Sequence, residues 1–169
     1  PSGAHWFGTD HLGRDIFVRL LYGARISLLI GFLGAFINLG IGVLYGGISG
    51  FLGGKVDSMM MRFVDVLYGV PLLLVVIMLM VVLGPGLQSI LIAFGLTYWL
   101  GMARIVRGQI LAMKEEEYVL AARVLGASRT RTLLRHLIPN AIGPIIVTAT
   151  LLIPTAIFLE AFMSFIGLG

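Results

Sequence analysis

Three stretches of this chain contain no charged residue at all: 26–54, 66–103 and 137–159. A helix that crosses a bilayer needs roughly 20 apolar residues in succession. The first and third runs each hold one such helix. The second is 38 residues long and holds two. Gly84-Pro85-Gly86 interrupts it where a tight hairpin would turn. Buried helices of a water-soluble protein do not account for three runs of this length, which would overfill a soluble core. The expected fold is all-α: a polytopic membrane protein with spans over about 26–52, 64–83, 87–110 and 137–159. Composition agrees. Charged residues make up 12% of the chain, against about 25% in soluble domains, and the mean hydropathy is +1.03. Cysteine is absent, which excludes disulfides and thiolate metal sites. The sequence begins at Pro1 and stops at Gly169 without an initiator Met, a signal peptide or a soluble tail. It is expected to be a fragment of a longer protein.

The first run carries a second pattern. Gly34, Asn38, Gly42, Gly46, Gly50 and Gly54 recur every fourth residue, which places them on one helix face. Small residues at that spacing let a neighbouring helix come close. Asn38 sits in the row, where it is expected to bond across the contact or to line a solute path.

Lysine and arginine set the orientation. Seven of the twelve lie between Arg104 and Arg135, so that loop is expected to be cytoplasmic. The Gly84-Pro85-Gly86 turn then faces outside, and the loop with Lys55 and Arg62 faces the cytoplasm. The segment before Arg25 falls outside, with Arg14, Arg19 and Arg25 set against Asp10 and Asp15. Its "RDIFVRLLYGAR" alternates basic and apolar positions and reads as a short amphipathic helix on the outer membrane surface. Residues 1–23 thus form an outer-face segment and 24–169 a transmembrane domain.

The basic loop, 114–136, is more than a topological signal. Glu115 to Glu117 place negative charge at a helix start, where the dipole favours it. Tyr118, Ala121, Ala122 and Leu125 share one face, and the two alanines make that face closely approachable. Gly126 stands where a left-handed residue ends a helix. Ser128 reads as the cap of a second helix that runs into the last span, with Pro139 bending it or marking the bilayer boundary. A DNA-reading helix pair has similar spacing. Spans within a few residues on either side leave it no room in a groove, so no nucleic-acid partner is expected.

With its continuation, "EYVLAARVLGASRTRTLLRHLIPN" resembles the EAA loop of permease subunits of ATP-binding-cassette importers. Ala121, Ala122 and Gly126 match that motif, and Ile138-Pro139 stands where Leu-Pro is usual. Leu120 replaces the usual Glu, and His136 the usual Ile. "FGTDHLGRDIFVRLLYGARISLLIG", "LYGVPLLLVVIML", "ARIVRGQIL" and "EAFMSFIGLG" are similar to the dipeptide, oligopeptide and nickel permeases, specifically the C-type subunit. The likeness covers essentially the whole chain. It implies six spans per subunit, one before Pro1 and at least one after Gly169, and a multi-pass protein of a bacterial or archaeal inner membrane. It also implies partners: a second permease subunit, two cytoplasmic ATPase subunits and an extracytoplasmic substrate-binding protein. On this resemblance Glu117, Tyr118, Ala121, Ala122, Arg123, Leu125, Gly126, Ser128 and Pro139 belong to the helix that couples the spans to the ATPase.

The chain itself is not expected to hydrolyse ATP. Its lysines are Lys55 and Lys114, and neither ends a phosphate-cradling G-x-x-x-x-G-K-[ST] loop. ATP and Mg belong to the partner subunits, and no cofactor is expected here. His5, His11 and His136 are too scattered for a metal site and read as solvated. Candidates for a translocation path are Asn38, Thr97 and Thr148, with Gln88, Ser89 and Thr150 as further polar groups inside the membrane. Asp65 has a local partner three residues back in Arg62, and Glu160 needs a partner on another helix or water. The competing reading is a secondary transporter or channel with no ATPase, which predicts discontinuous helices and ionisable groups at mid-membrane; the deep parts of these spans carry no ionisable group.

Overall fold

A computed structural model describes residues 1–3 and 5–167. The last two residues of "EAFMSFIGLG" fall outside them. The described residues form helices joined by short turns.

Helix α1 runs from Ile16 to Leu52. Asp15 caps it, its carboxylate accepting from the amides of Phe17 and Val18, which satisfies two donors that a helix start leaves free. At 1.5 Å per residue, its 37 residues extend about 55 Å. That exceeds a hydrocarbon core of roughly 30 Å. The separate surface helix expected in the first 23 residues is therefore not present. Nothing after Ile16 breaks the backbone, and "IFVRLLYGAR" forms the first turns of α1. At Asn38–Gly42 the helix widens into one π-helical turn. Gly53, with φ +65°, stops it.

Helix α2 (Gly54–Tyr68) and helix α3 (Leu72–Leu83) meet at a bend of 74°. The span expected over about 64–83 is thus broken within its length. Pro71 cannot donate a backbone N–H, and it forces the preceding residue out of helical conformation, so the chain turns at Gly69-Val70-Pro71. Helix α3 alone, 12 residues long, reaches only about 18 Å. Gly84 and Gly86, at φ +93° and +133°, make the next turn. Helix α4 (Leu87–Met113) returns through the bilayer. A short α5 (Glu117–Val124) follows, then α6 over 129–140, whose middle, Thr132–Leu137, is π-helical. After Ala141 comes α7 (Ile142–Phe165), which contains Pro154. Among the described residues three helices are long and apolar enough to cross a membrane, and the bent α2–α3 pair makes a fourth crossing if it counts as one span.

Helix α4 organises the core. Its Met102, Val106 and Ile110 pack with Val119 of α5 and Leu133 of α6. Its Ile90 and Phe94 pack with Ile30 of α1 and Val76 of α3. Its Trp99 and Ala103 pack with Met61 and Val64 of α2. No other helix contributes buried residues to all three clusters among the described residues. The outward surface is apolar: Phe36, Val81, Val82 and Phe158 are largely exposed, as lipid-facing residues are.

Candidate functional site

The basic loop folds into a rigid corner. Helix α5 ends with a full Schellman arrangement. The amide of Ala127 donates to the carbonyl of Ala122 at 3.0 Å, and that of Gly126 to Arg123 at 3.0 Å. Gly126 takes φ +86°, a conformation that costs a residue with a Cβ. Two residues later Ser128 caps α6, its hydroxyl accepting from the Arg131 amide at 3.3 Å. Glu117 lies in the first turn of α5 and Arg123 in the last, each complementing the helix dipole.

One residue anchors α5. Val119 is fully buried among α4, α6 and α7 side chains. The opposite side is bare: Val124 and Leu125 are each 87% exposed. Tyr118, Leu120 and Ala121 are exposed beside them. The face read from spacing is therefore split. Ala122 turns half inward, toward a cleft of about 230 Å³ shared with Leu125, Ala127, Arg131 and His136. The outward tip is Val124 with Leu125, and Val124 was not among the residues that spacing singled out. Pro139 sits in the first turn of the short α-helical stretch Ile138–Asn140 that ends α6, a position that needs no amide donor.

Behind the corner lies a close seam between α1 and α4. A Cβ on Gly42 would stand 2.6 Å from Met102 Cβ, and one on Gly50 2.8 Å from the Arg107 carbonyl oxygen. A Cβ on Gly46 would run into the Ala103 carbonyl. Gly34 packs against the Tyr98 ring. Gly54, last of the row, meets nothing within 4 Å and serves as a turn residue with φ +56°. The absence of side chains is what brings these two backbones together. Asn38 is 1% exposed, but its carboxamide oxygen has no hydrogen-bond partner among the described residues. The bond expected across the contact is not made.

A clamp closes the inner end of the seam. Arg107 of α4 donates Nε and Nη2 to the two carboxylate oxygens of Asp57 on α2, at 2.5 and 2.6 Å. Ser49 of α1 donates its hydroxyl to the same carboxylate at 2.6 Å. Asp57 is 6% exposed and Ser49 fully buried. Three helices thus meet on one carboxylate. Paired, bidentate geometry is what makes a buried charge tolerable. A neighbouring pair joins Arg104 Nη2 to Asp65 Oδ1 at 2.6 Å, with the Arg104 guanidinium 4.1 Å above the Tyr68 ring. This corrects the local Arg62–Asp65 pairing: the partner comes from α4. Glu160 finds partners too, Ser27 of α1 and Ser164, both at 3.1 Å. His5 is not merely solvated, since Nδ1 lies 2.8 Å from Asp15 Oδ2.

Sequence reasoning missed the clamp. Ser49, Asp57 and Arg107 were not singled out because they are distant in the chain. One signal was available: charges at span boundaries need partners, and Asp57 and Arg107 both occupy such boundaries. No hydrogen bond joins the path candidates to one another among the described residues. Thr97 donates to the Ala93 carbonyl and Thr148 to the Pro144 carbonyl, so both hydroxyls are spent on their own helices. Thr150 does the same toward Ile146, and Ser89 bonds the Gly84 carbonyl. Among the described residues no group of three or more His, Asp or Glu is placed to hold a metal.

Residues 42–169 match the family described as "Binding-protein-dependent transport system inner membrane component". The chain is 58% identical over 169 residues to the dipeptide transport system permease protein DppC of Bacillus subtilis, covering all of this chain and 53% of that protein. It is 60% identical over 169 residues to the oligopeptide transport system permease protein OppC of the same organism, covering 55% of it. Against OppC of Escherichia coli K12 the identity is 47% over 168 residues, or 56% of that protein. The chain spans about half the length of the curated relatives it matches.

Proposed function

The chain belongs to the family of binding-protein-dependent transport system inner membrane components, and from that premise we propose that it is the membrane core of a permease subunit in an ATP-driven importer of peptides. Its relatives are named for dipeptide and oligopeptide transport, which is why peptides are the proposed cargo. A second, related permease subunit would complete the translocation path. Two cytoplasmic ATPase subunits would bind ATP and Mg, and an extracytoplasmic protein would deliver the solute. This chain supplies no hydrolytic chemistry in that scheme. It converts a push on its cytoplasmic corner into alternating access of the path.

The observation that carries the reading is the corner itself. The tip at Val124 and Leu125 is bare, and the helix behind it is stiffened by Gly126 and Ser128. Helix α6 leaves the corner and passes through Ala141 into α7, which packs along α1. Val119 ties the same corner to α4. Force on the tip therefore reaches two membrane helices through packed contacts, the way rigid-body transitions are transmitted.

The test uses Leu125→Cys, which places one thiol in a 169-residue stretch without cysteine. In the assembled transporter it is expected to cross-link to an ATPase subunit, with a yield that changes between nucleotide-free and ATP-bound states. An assembled, ATP-hydrolysing complex that never cross-links at this position overturns the coupling role. Solute uptake driven by a gradient alone, without any ATPase, overturns the importer reading as a whole.

A further inference from the structure

Two clefts lie side by side on the cytoplasmic flank of the bundle, between the end of α1 and the start of α6. The first, about 360 Å³, is lined by Phe51, Leu52, Arg123, Ala127, Arg129 and Thr132. The second, about 340 Å³, shares Phe51, Leu52 and Arg129 and adds Leu44, Ile48, Leu133 and Leu134. They are two halves of one groove with opposite chemistry. Arg123 lines only the half nearest the corner, and Arg129 stands at the boundary and lines both. The other half is lined mainly by the aliphatic Leu44, Ile48, Leu52, Leu133 and Leu134, with Arg129 and Thr130 as its polar groups.

The polarity follows depth in the membrane on both walls. Along α1, Leu52 marks the cytoplasmic end, and Leu44 lies eight residues deeper, roughly 12 Å at helical rise. Along α6, Arg129 marks the same end, and Leu133 and Leu134 lie deeper. Arg123 reaches in from α5, its guanidinium 5.5 Å from the Phe51 ring centroid. Neither Arg123 nor Arg129 has a carboxylate partner among the described residues. Leu44, Ile48, Leu52 and Leu134 are each between 42% and 52% exposed.

We infer that this groove binds one anionic phospholipid of the cytoplasmic leaflet. The headgroup phosphate would sit between Arg123 and Arg129, and an acyl chain would lie against Leu44, Ile48 and Leu134. Charge complementarity selects this occupant. A soluble anion needs the arginines but leaves the aliphatic half bare. An apolar helix fills the aliphatic half but leaves two cations without a counter-charge. A phospholipid carries both parts in the right order, headgroup outermost, and basic pockets at this depth bind such headgroups. The site adjoins the coupling corner through Arg123 and Ala127. The inference needs only the membrane setting, and holds whichever solute is carried.

The experiment is native mass spectrometry of the assembled transporter, extracted from nanodiscs of phosphatidylglycerol and phosphatidylcholine in equal amounts. Wild-type complex is expected to retain phosphatidylglycerol over phosphatidylcholine at least tenfold. Arg123→Gln combined with Arg129→Gln is expected to abolish that preference. Ile48→Trp, which fills the aliphatic half and keeps both charges, is expected to lower retention of phosphatidylglycerol severalfold. Equal retention in wild type and both variants overturns the site. So does a photo-crosslinker at Leu134 that captures another protein segment rather than lipid, because the groove is then filled by polypeptide. A thermal shift reproduced in full by inorganic phosphate overturns the acyl-chain half of the inference. Because Leu125→Cys cross-linking reads ATPase contact independently, failure here is separable from failure of the coupling role.

Discussion

The two ends of α1 use the same chemistry, carboxylates set against guanidinium groups, and reach different results. At the outer end Asp10 takes Arg14 and Arg19, while Asp15 caps the helix and meets His5. These partners are at most ten residues apart in sequence, and both arginine side chains are more than half exposed. At the inner end Asp57 and Arg107 are 50 residues apart, and the carboxylate is buried with Ser49 against it. Water screens the first network and hardly reaches the second. The outer charges fix the shape of one turn. The inner charges fix how α1, α2 and α4 stand relative to one another, behind the corner formed by α5 and α6. Ion pairs in this chain hold tertiary structure where burial and sequence distance coincide.

The sharpest way to break that contrast is to neutralise one carboxylate at each end. Asp57→Asn leaves Arg107 without its acid in a mostly enclosed site. Removing one partner of a buried pair costs about 3–5 kcal/mol, and the Arg107 side chain, 34% exposed, puts this case near about 3 kcal/mol. Thermal unfolding of the purified protein is expected to shift down accordingly. Asp57→Arg with Arg107→Asp is expected to recover part of the loss. Asp10→Asn is expected to leave the unfolding midpoint where it was. Equal shifts for Asp57→Asn and Asp10→Asn would erase the difference between the ends.

The next effect in size compares two glycines of α1. At Gly46 an added methyl meets the Ala103 carbonyl, whereas at Gly23 it meets nothing within 4 Å. Gly46→Ala is expected to cost about 1–3 kcal/mol by overpacking. Gly23→Ala is expected to be neutral or to stabilise by up to about 1 kcal/mol, since alanine is the better helix former. Denaturation of the two variants side by side decides whether the seam is as close as the backbone geometry has it. A smaller effect is expected at the corner, where Gly126→Val forces a β-branched residue to φ +86°, at a cost of about 1–2 kcal/mol. Its readout is the ratio of solute transported to ATP hydrolysed in the assembled importer, which is expected to fall while ATPase activity persists. An unchanged ratio would mean that the stiff corner is not what transmits force.

Much of this molecule was legible in sequence because its governing signals are local. Runs without charge pointed to an all-helical membrane fold, four-residue spacing to the α1 seam, and Gly126 and Ser128 to the corner. What stayed hidden depends on contacts between distant segments or on backbone details with no compositional mark. The Asp57–Arg107 clamp needs the approach of α2 to α4. The π-turn at Asn38–Gly42 contains Gly40 and Gly42, but glycines are spread along this whole stretch and none marks the turn, and the continuity of α1 through "RDIFVRLLYGAR" is set by an N-cap rather than by hydropathy. Pro71 was visible, but its consequence, a 74° bend within the expected second span, was masked by the unbroken apolar run around it. The inward turn of Ala122 depends on α6, whose π-helical winding spacing does not announce.

The smallest expected effect lies at the outer end and is driven by pH. The amide of Arg14, above all, donates to the Asp10 carboxylate, and with the Leu12 amide and the Arg14 guanidinium it holds the Asp10 pKa down to about 2, from an ordinary 3.8. The His5 contact, followed by the amides of Val18 and Phe17, holds Asp15 below its ordinary value as well. A carboxylate whose pKa is lowered by folding stabilises the folded form fully above its unfolded value and loses that contribution as pH falls through the folded one. The turn before α1 is therefore expected to keep its order from neutrality down to about pH 3.8 and to lose it toward about pH 2. Hydrogen exchange at the amides of Leu12, Arg14, Phe17 and Val18, corrected for intrinsic rates, reads this directly. Protection there is expected to fall across that window, while amides around Ser49 keep theirs because α1 is continuous and its inner end is packed. Protection already lost above pH 5 would mean that these carboxylates do not hold the turn, and the outer end would then be ordered by the packing of Trp6 and Phe7 on Phe17 rather than by charge.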